Sequence, residues 1–202
     1  MDFNCEADAG SLYRISGGVG ADVASAAPAP ATTAVRVDRM ITPTTISNGI
    51  CWSGDGETLY YIDTATRCVD AFDFDGGVAA GGSITNRRVI VRCSEEEGAG
   101  HPDGCTIDNE DNLFVAMWGG SRVNRYSTQT GELLGSWTLP CAQVTSVAFG
   151  GPALDQLFVT TARCGLSDEE RAATPLAGCL FRIDFSGTGI TGVRTHTYSS
   201  TL

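Results

Sequence analysis

The stretch HPDGCTIDNEDNLFVAMWGG at residues 101–120 repeats the plan of SNGICWSGDGETLYYIDT at residues 47–64. Each stretch has a polar residue before Gly, a short apolar run, an acidic turn, and a second apolar run that opens with Leu and an aromatic residue. A third stretch, TSVAFG followed by QLFVTT at 145–161, keeps the same two runs. Self-similarity of this kind indicates an architecture built from repeated units.

Short β-type runs between clusters of Gly, Asp, Asn and Thr fill most of the chain. When the repeated runs are aligned, they fall into four types of strand. This predicts units of four antiparallel strands and roughly 40–50 residues, the size of a β-propeller blade. One helix is expected at 166–173, with Ser167 as its N-cap. The predicted strands are 10–15, 34–40, 49–53, 58–63, 68–74, 87–92, 104–107, 112–117, 122–126, 133–138, 145–149, 156–161 and 179–184.

The order of these strand types predicts a single domain over residues 1–202 that is an incomplete propeller. The chain opens in the third strand of one blade, completes two blades and ends in a fourth, which makes about three and a half blades. Typical propeller rings have about four to eight blades, so we expect part of a ring. The predicted blade parts are 1–40, 46–92, 103–139 and 145–202.

Composition limits the classes of function. The 202 residues carry 13 basic and 24 acidic side chains, a net charge of -11, which disfavours nucleic acid and anionic membranes as partners. No apolar run approaches the ~20 residues of a membrane span, and the N-terminus lacks the pattern of a signal peptide. The eight cysteines form no CxxC, and Cys51, Cys105 and Cys179 lie in apolar runs. We therefore expect reduced, buried thiols and a cytoplasmic protein.

Three polar residues hold the same position in successive units. Asn48, Asp103 and Thr145 each lie two residues before the register position of the first strand, which in a propeller lines the central channel. Amide and carboxylate oxygens suit Ca²⁺, Mg²⁺ or Mn²⁺, so these residues predict a cation site at the channel mouth. Asn-Gly and Asp-Gly are also turn dipeptides, and this alternative stays open from spacing alone.

Several other residues are predicted to be structural. Asp63, Asp108 and Asp111 lie in predicted turns or at strand ends, where Asp commonly bonds its own backbone. His101 has no second His nearby and is a poor metal ligand. Buried strand positions are expected for the aromatic side chains Trp52 and Trp118.

Longer motifs resemble a known family. The segments ISNGICWSGDGETLYYIDTATRCVDAFDFD, HPDGCTIDNEDNLFVAMWGGSRVNRYSTQTGELL, LPCAQVTSVAFGG and AGCLFRID resemble, in order, the senescence-marker-protein family of gluconolactonases, other lactonases and regucalcin. The resemblance covers about residues 1–190. It implies a six-bladed propeller with one divalent metal ion (Ca²⁺, Zn²⁺, Mn²⁺ or Mg²⁺) in the channel and a small-molecule sugar lactone as substrate.

The resemblance also implies roles for single residues. Asn48 matches a metal-ligating Asn, and Asp103 matches a metal-ligating Asp that serves as general base. Glu6 matches an acid that contacts substrate, although a solvated loop carboxylate is an equal interpretation. The family's Glu ligand, and its Asn and Arg that contact metal or substrate, would fall before Met1.

Two functions therefore remain open from the sequence. The first is metal-dependent hydrolysis of sugar lactones, with the metal ion polarising the carbonyl and Asp103 as base. The second is a truncated, inactive propeller that binds cations or other proteins, so whether this polypeptide is an enzyme stays open. Neither function involves nucleic acid or membrane, and an incomplete ring would call for a complementing chain.

Overall fold

The computed structural model describes residues 6–16, 36–76 and 82–194. Within these ranges the fold is all-β, with thirteen strands, one short 3-10 turn at Thr64–Thr66 and one α-helix. No helix in the described part of the chain is long and apolar enough to cross a membrane. The strands are β1 Gly10–Ser16, β2 Arg36–Thr44, β3 Ser47–Trp52, β4 Thr58–Asp63, β5 Cys68–Asp75, β6 Ser83–Arg92, β7 His101–Ile107, β8 Leu113–Trp118, β9 Arg122–Tyr126, β10 Leu133–Thr138, β11 Val144–Gly150, β12 Gln156–Thr161 and β13 Leu180–Asp184.

The strands form four antiparallel sheets in chain order. β1 pairs with β2, and β11, β12 and β13 form a three-stranded sheet. Between them in the chain lie two four-stranded meanders, β3-β4-β5-β6 and β7-β8-β9-β10. These are propeller blades, as the repeat predicted, and the strands at 58–63, 122–126, 133–138 and 156–161 have the predicted bounds.

The helix α1, Asp168–Ala173, is also confirmed. Ser167 is its N-cap and accepts a hydrogen bond from the backbone N–H of Glu170, while the Glu170 side chain accepts from the backbone N–H of Ser167. This reciprocal capping box satisfies two donors that a helix N-terminus otherwise leaves unpaired. The helix lies between β12 and β13 and has no buried residue.

Side chains from facing sheets build the core between neighbouring blades. On β8, Leu113 and Val115 face a cluster that includes Ile62 and Val91 of the preceding blade. Phe114 points the other way, into a cluster formed with the following sheet. Because side chains alternate along a strand, a strand covered on both faces is apolar throughout, which explains the continuous run LFVAM at 113–117.

The first strands of the three last sheets, β3, β7 and β11, are neighbours around the channel. Two glycines permit their close approach. A Cβ atom on Gly49 would lie 2.6 Å from the backbone oxygen of Asp103, and one on Gly104 would lie 2.8 Å from Cα of Ser146. Both glycines lie inside strands, so the turn interpretation of the Asn-Gly and Asp-Gly pairs is wrong.

Predictions of burial were also wrong for Trp52, Trp118 and Cys179. Trp52 is 40% exposed because it ends an inner strand beside an open cavity, and Trp118 is only half-buried. All seven cysteines in the described ranges are free thiols, as expected, while Cys5 lies outside these ranges. Cys179 is exposed because it directly precedes β13, whose outer side is not covered by another strand within the described residues.

Candidate metal centre at the channel mouth

A β-bulge interrupts each of the three inner strands at the same place. The breaks in register fall between Ser47 and Ile50 in β3, between Pro102 and Cys105 in β7, and between Val144 and Ser146 in β11. Asn48, Asp103 and Thr145 lie inside these bulges. Since a bulge redirects a side chain away from the regular alternation of a strand, the alignment of the three residues reflects one repeated backbone feature.

Asn48 and Asp103 come together across neighbouring blades. The Asn48 side chain and the backbone N–H of Gly104 lie near enough to the Asp103 carboxylate to lower its pKa. Burial nevertheless raises the pKa of Asp103 to about 6, because its desolvation outweighs the effects of these two donors. No ion pair among the described residues includes Asp103. The half-buried carboxylate therefore lacks a cationic partner in the described part of the chain.

Thr64 fixes the orientation of Asn48. Asn48 Nδ2 donates to Thr64 Oγ1 at 3.1 Å, and Thr64 Oγ1 donates to the carbonyl oxygen of Pro102 at 2.8 Å. The amide nitrogen of Asn48 is thus occupied as a donor, and its oxygen is the atom that it can offer to a cation. Thr64 had no signal in the sequence, because it contacts Asn48 across one blade and Pro102 of the next blade, and neither contact is local in the chain.

The other candidates do not join this pair. The Thr145 hydroxyl is hydrogen-bonded to the Thr160 hydroxyl at 2.7 Å. Glu6 is exposed ahead of β1, and within the described residues no hydrogen bond or ion pair connects it to Asn48 or Asp103. A role for Glu6 in substrate contact remains a prediction.

His101 is occupied by Arg67. The Arg67 guanidinium lies 2.9 Å from Nδ1 of His101 and also donates to the carbonyl oxygens of Ser94 and Gly100. Burial and, next, the charge of Arg67 lower the pKa of His101, which keeps the ring neutral. The ring therefore helps to hold the loop before β7, in agreement with its prediction as a poor metal ligand.

The three turn aspartates are structural, as predicted. All three accept hydrogen bonds that join adjacent segments: Asp63 from the backbone N–H groups of Thr45 and Ile46, Asp108 from those of Glu110 and Asn112 and from Arg125, and Asp111 from the backbone of Gly54 and the hydroxyl of Tyr60. Asp108 is fully buried as a side chain and forms a 2.6 Å ion pair with Arg125.

The donor set at Asn48 and Asp103 suits a hard divalent cation. An amide oxygen and a carboxylate are ligands that Ca²⁺, Mg²⁺ and Mn²⁺ accept, and a bound cation would offset the desolvation of Asp103. Ca²⁺ takes about six to eight oxygens, so the pair alone would not complete a Ca²⁺ site. No cluster of three or more His, Cys, Asp or Glu in the described ranges could hold a metal ion.

The sheets define a class of protein, a β-propeller, and its inner strands β3 and β7 bring an amide and a carboxylate side chain close together. The chain belongs to the SMP-30/Gluconolactonase/LRE-like region family, whose model matches residues 1–163. Regucalcin from Danio rerio is 40% identical over 154 residues, which cover 76% of this chain and 50% of that protein.

Solved structures are similar as well. A calcium-binding protein, regucalcin, from Agrobacterium tumefaciens gives a TM-score of 0.76 at 28% identity and covers 96% of this chain and 57% of its own. A gluconolactonase from Xanthomonas campestris gives a TM-score of 0.51 at 25% identity, covering 67% of this chain and 43% of its own. The chain spans about half the length of the curated relatives that it matches.

Proposed function

We propose that this chain contributes part of the active site of a divalent-metal-dependent hydrolase of sugar lactones. Asn48 and Asp103 would be two of the metal ligands, and Asp103 would also be the general base. The observation that carries the proposal is the desolvated Asp103 carboxylate, which lies beside Asn48 and Gly104 and has no cationic partner among the described residues. The likeness to a gluconolactonase supports a lactone as substrate.

The chemistry requires a proton acceptor beside the lactone carbonyl. A divalent cation, when bound, supplies Lewis-acid polarisation of that carbonyl. Asp103 would accept a proton from the water that attacks the carbonyl carbon. When the ring C–O bond breaks, the same proton passes to the departing ring oxygen, so the carboxylate is regenerated. In the metal-free chain a pKa of about 6 leaves Asp103 mostly ionised at neutral pH. A bound cation would lower this pKa, so Asp103 would be ionised and available as base but weaker than in the metal-free chain.

Asn48 would keep the carboxylate in place for this transfer. Its amide group would donate to Asp103, and the hydrogen bond with Thr64 keeps the amide from rotating away. Asn48 and Thr64 belong to one blade and Asp103 to the next, so the geometry of the base depends on how closely β3 and β7 pack. The tight approach at Gly49 and Gly104 is therefore part of the site.

Thr64→Val should weaken cation binding without unfolding the chain. Valine has nearly the shape of threonine, but it removes both the acceptor for Asn48 Nδ2 and the donor to Pro102. Loss of a group that orients a metal ligand typically lowers affinity about 10- to 100-fold. Calorimetric titration with Mn²⁺ measures the effect. Thr64→Ser, which keeps the hydroxyl, is the matched control and should bind like the wild type; equal affinity of the valine variant would contradict the role of Thr64.

A second candidate is cation binding without hydrolysis. The similar structure from Agrobacterium tumefaciens is described as a calcium-binding protein, and this chain spans about half of its curated relatives. In this case Asn48 and Asp103 would hold a cation, but no lactone would be turned over.

Hydrolysis of glucono-δ-lactone distinguishes the two candidates. The protein is first treated with EDTA, and Ca²⁺, Mg²⁺, Mn²⁺ and Zn²⁺ are then added back singly, with acid release followed above the spontaneous rate. We expect no turnover after EDTA and recovery with at least one ion. Turnover that persists without metal would overturn the metal-dependent lactonase, and cation binding without turnover would favour the second candidate.

A further inference from the structure

Two free cysteines meet across the same pair of inner strands. Cys51 lies on β3 and Cys105 on β7, 54 residues apart in the chain, and their sulfur atoms are 3.6 Å apart. A disulfide bond has an S–S length of about 2.05 Å, so a small movement of the two side chains would bring the sulfurs to bonding distance. Both residues are free thiols in the structure.

A cavity gives small molecules access to these sulfurs. Cys51 and Cys105 both line a cavity of about 550 Å³, together with Ile50 and Trp52. Ile50 is 38% exposed and Trp52 is 40% exposed, so the cavity is open to solvent beside the pair. An oxidant as small as a peroxide can therefore reach sulfurs that are otherwise enclosed by the two strands.

We propose that Cys51 and Cys105 are a redox-active pair that hydrogen peroxide converts to a reversible disulfide bond between two neighbouring blades. One thiol attacks a peroxide oxygen and becomes a sulfenic acid, which releases water. The second thiol then attacks the sulfenic sulfur, the S–S bond forms, and a second water leaves. Two thiols lose two electrons and two protons in total, and the peroxide is reduced to two waters.

The bond would clamp β3 to β7 beside the candidate metal centre. Asn48 and Asp103 lie on the same two strands, three and two residues before the cysteines. The hydrogen bond with Cys105, followed by burial, raises the pKa of the Cys51 thiol, which makes it a slow nucleophile at neutral pH. We expect the exposed Cys179 to be oxidised first and the pair to follow. The inference does not depend on lactone hydrolysis.

Peptide mapping after oxidation tests the pair directly. The full chain is treated with hydrogen peroxide under native conditions, alkylated, digested with trypsin without reduction, and analysed by mass spectrometry. Cleavage after Arg leaves Cys51 alone in peptide 40–67 and places Cys105 in peptide 93–122 with Cys93. Fragmentation of the linked peptides shows whether Cys93 or Cys105 forms the disulfide bond with Cys51.

The expected product is a 40–67 to 93–122 link through Cys105, which dithiothreitol reverses. It should remain in Cys93→Ser and disappear in Cys105→Ser. Closing a loop of this length should raise Tm by roughly 5 °C or more. The same oxidation in urea should give a mixture of pairings. The proposal is overturned if the native protein gives no Cys51–Cys105 link, a link through Cys93, or the same mixture as the denatured chain.

Discussion

Asp103→Ala should abolish lactone hydrolysis and, in the absence of metal, should make the chain more stable than the wild type at neutral pH. Removing a general base typically lowers the rate about 10²- to 10⁴-fold. Stability should change in the opposite direction because burial raises the pKa of Asp103 to about 6, above the value of about 3.8 expected for the unfolded chain. A carboxylate with this shift penalises folding when it is ionised.

Proton linkage determines how the effect of Asp103 on the stability of the chain changes with pH. Well below pH 3.8 Asp103 is protonated in both the folded and the unfolded chain, and its shifted pKa has no effect on stability. As the pH rises from about 4 to 6, the unfolded chain loses the proton first, so the stability of the wild type falls. The shift corresponds to at most about 3 kcal/mol, and solvent screening of this half-buried group reduces it to about 1–2 kcal/mol.

Urea unfolding of both proteins in EDTA, at intervals from pH 4 to 8, measures this difference. The advantage of Asp103→Ala over the wild type should grow from about pH 4 to 6 and then level off. Asp55→Ala is a control of opposite sign, because hydrogen bonds from Ser53 and from the backbone lower the pKa of Asp55. Its removal should cost stability that is already largely present near pH 4 and changes little up to pH 8, because a lowered pKa contributes above the unfolded value. If the free energy of unfolding of the wild type instead rose with pH relative to that of Asp103→Ala, this result would contradict a desolvated Asp103.

Gly49→Ala should destabilise the chain by about 3 kcal/mol and separate Asn48 from Asp103. The added methyl carbon would lie 2.6 Å from the backbone oxygen of Asp103 and 2.9 Å from the sulfur of Cys105. The backbone oxygen cannot rotate away as a flexible side chain could. The inner strands must therefore move apart, which disturbs the fold and the candidate site together.

Gly54→Ala is the matched control for this prediction. A Cβ atom at Gly54 meets only Val193, at 3.8 Å, which is ordinary contact. Thermal unfolding should show a Tm lower by roughly 6–12 °C for Gly49→Ala and little change for Gly54→Ala. Mn²⁺ affinity measured well below the Tm should fall only in Gly49→Ala. Two variants of equal stability and equal affinity would show that the strands are not packed as tightly as described.

The sequence predicted the parts of the fold that depend on local pattern. The runs at 58–63 and 156–161 became strands with the predicted bounds, and Ser167 capped the helix, because alternation, propensity and capping act over a few residues. The pairing of Asn48 with Asp103 followed from their common register, since a repeated unit places equivalent residues at equivalent points around the channel.

Contacts between blades could not be predicted in this way. Thr64 and Pro102 meet through the packing of two blades. The prediction that Trp52 is buried failed because its exposure depends on which elements surround it. Cys51 and Cys105 hold positions that differ by one residue in the repeat alignment, so register alone does not pair them. The bulges in the inner strands β3 and β7 change which residues lie opposite each other, and no local sequence pattern predicts this change.

Asn48 and Asp103 together should bind a divalent cation. Titration of the EDTA-treated chain with Mn²⁺, followed by the electron paramagnetic resonance signal of the free ion, measures this binding. Wild type should bind one Mn²⁺ per chain, Asn48→Ala should bind more weakly, and Asp103→Ala should lose the site. The same stoichiometry and affinity in wild type and Asp103→Ala would contradict the claim, as would a wild-type chain that binds no Mn²⁺.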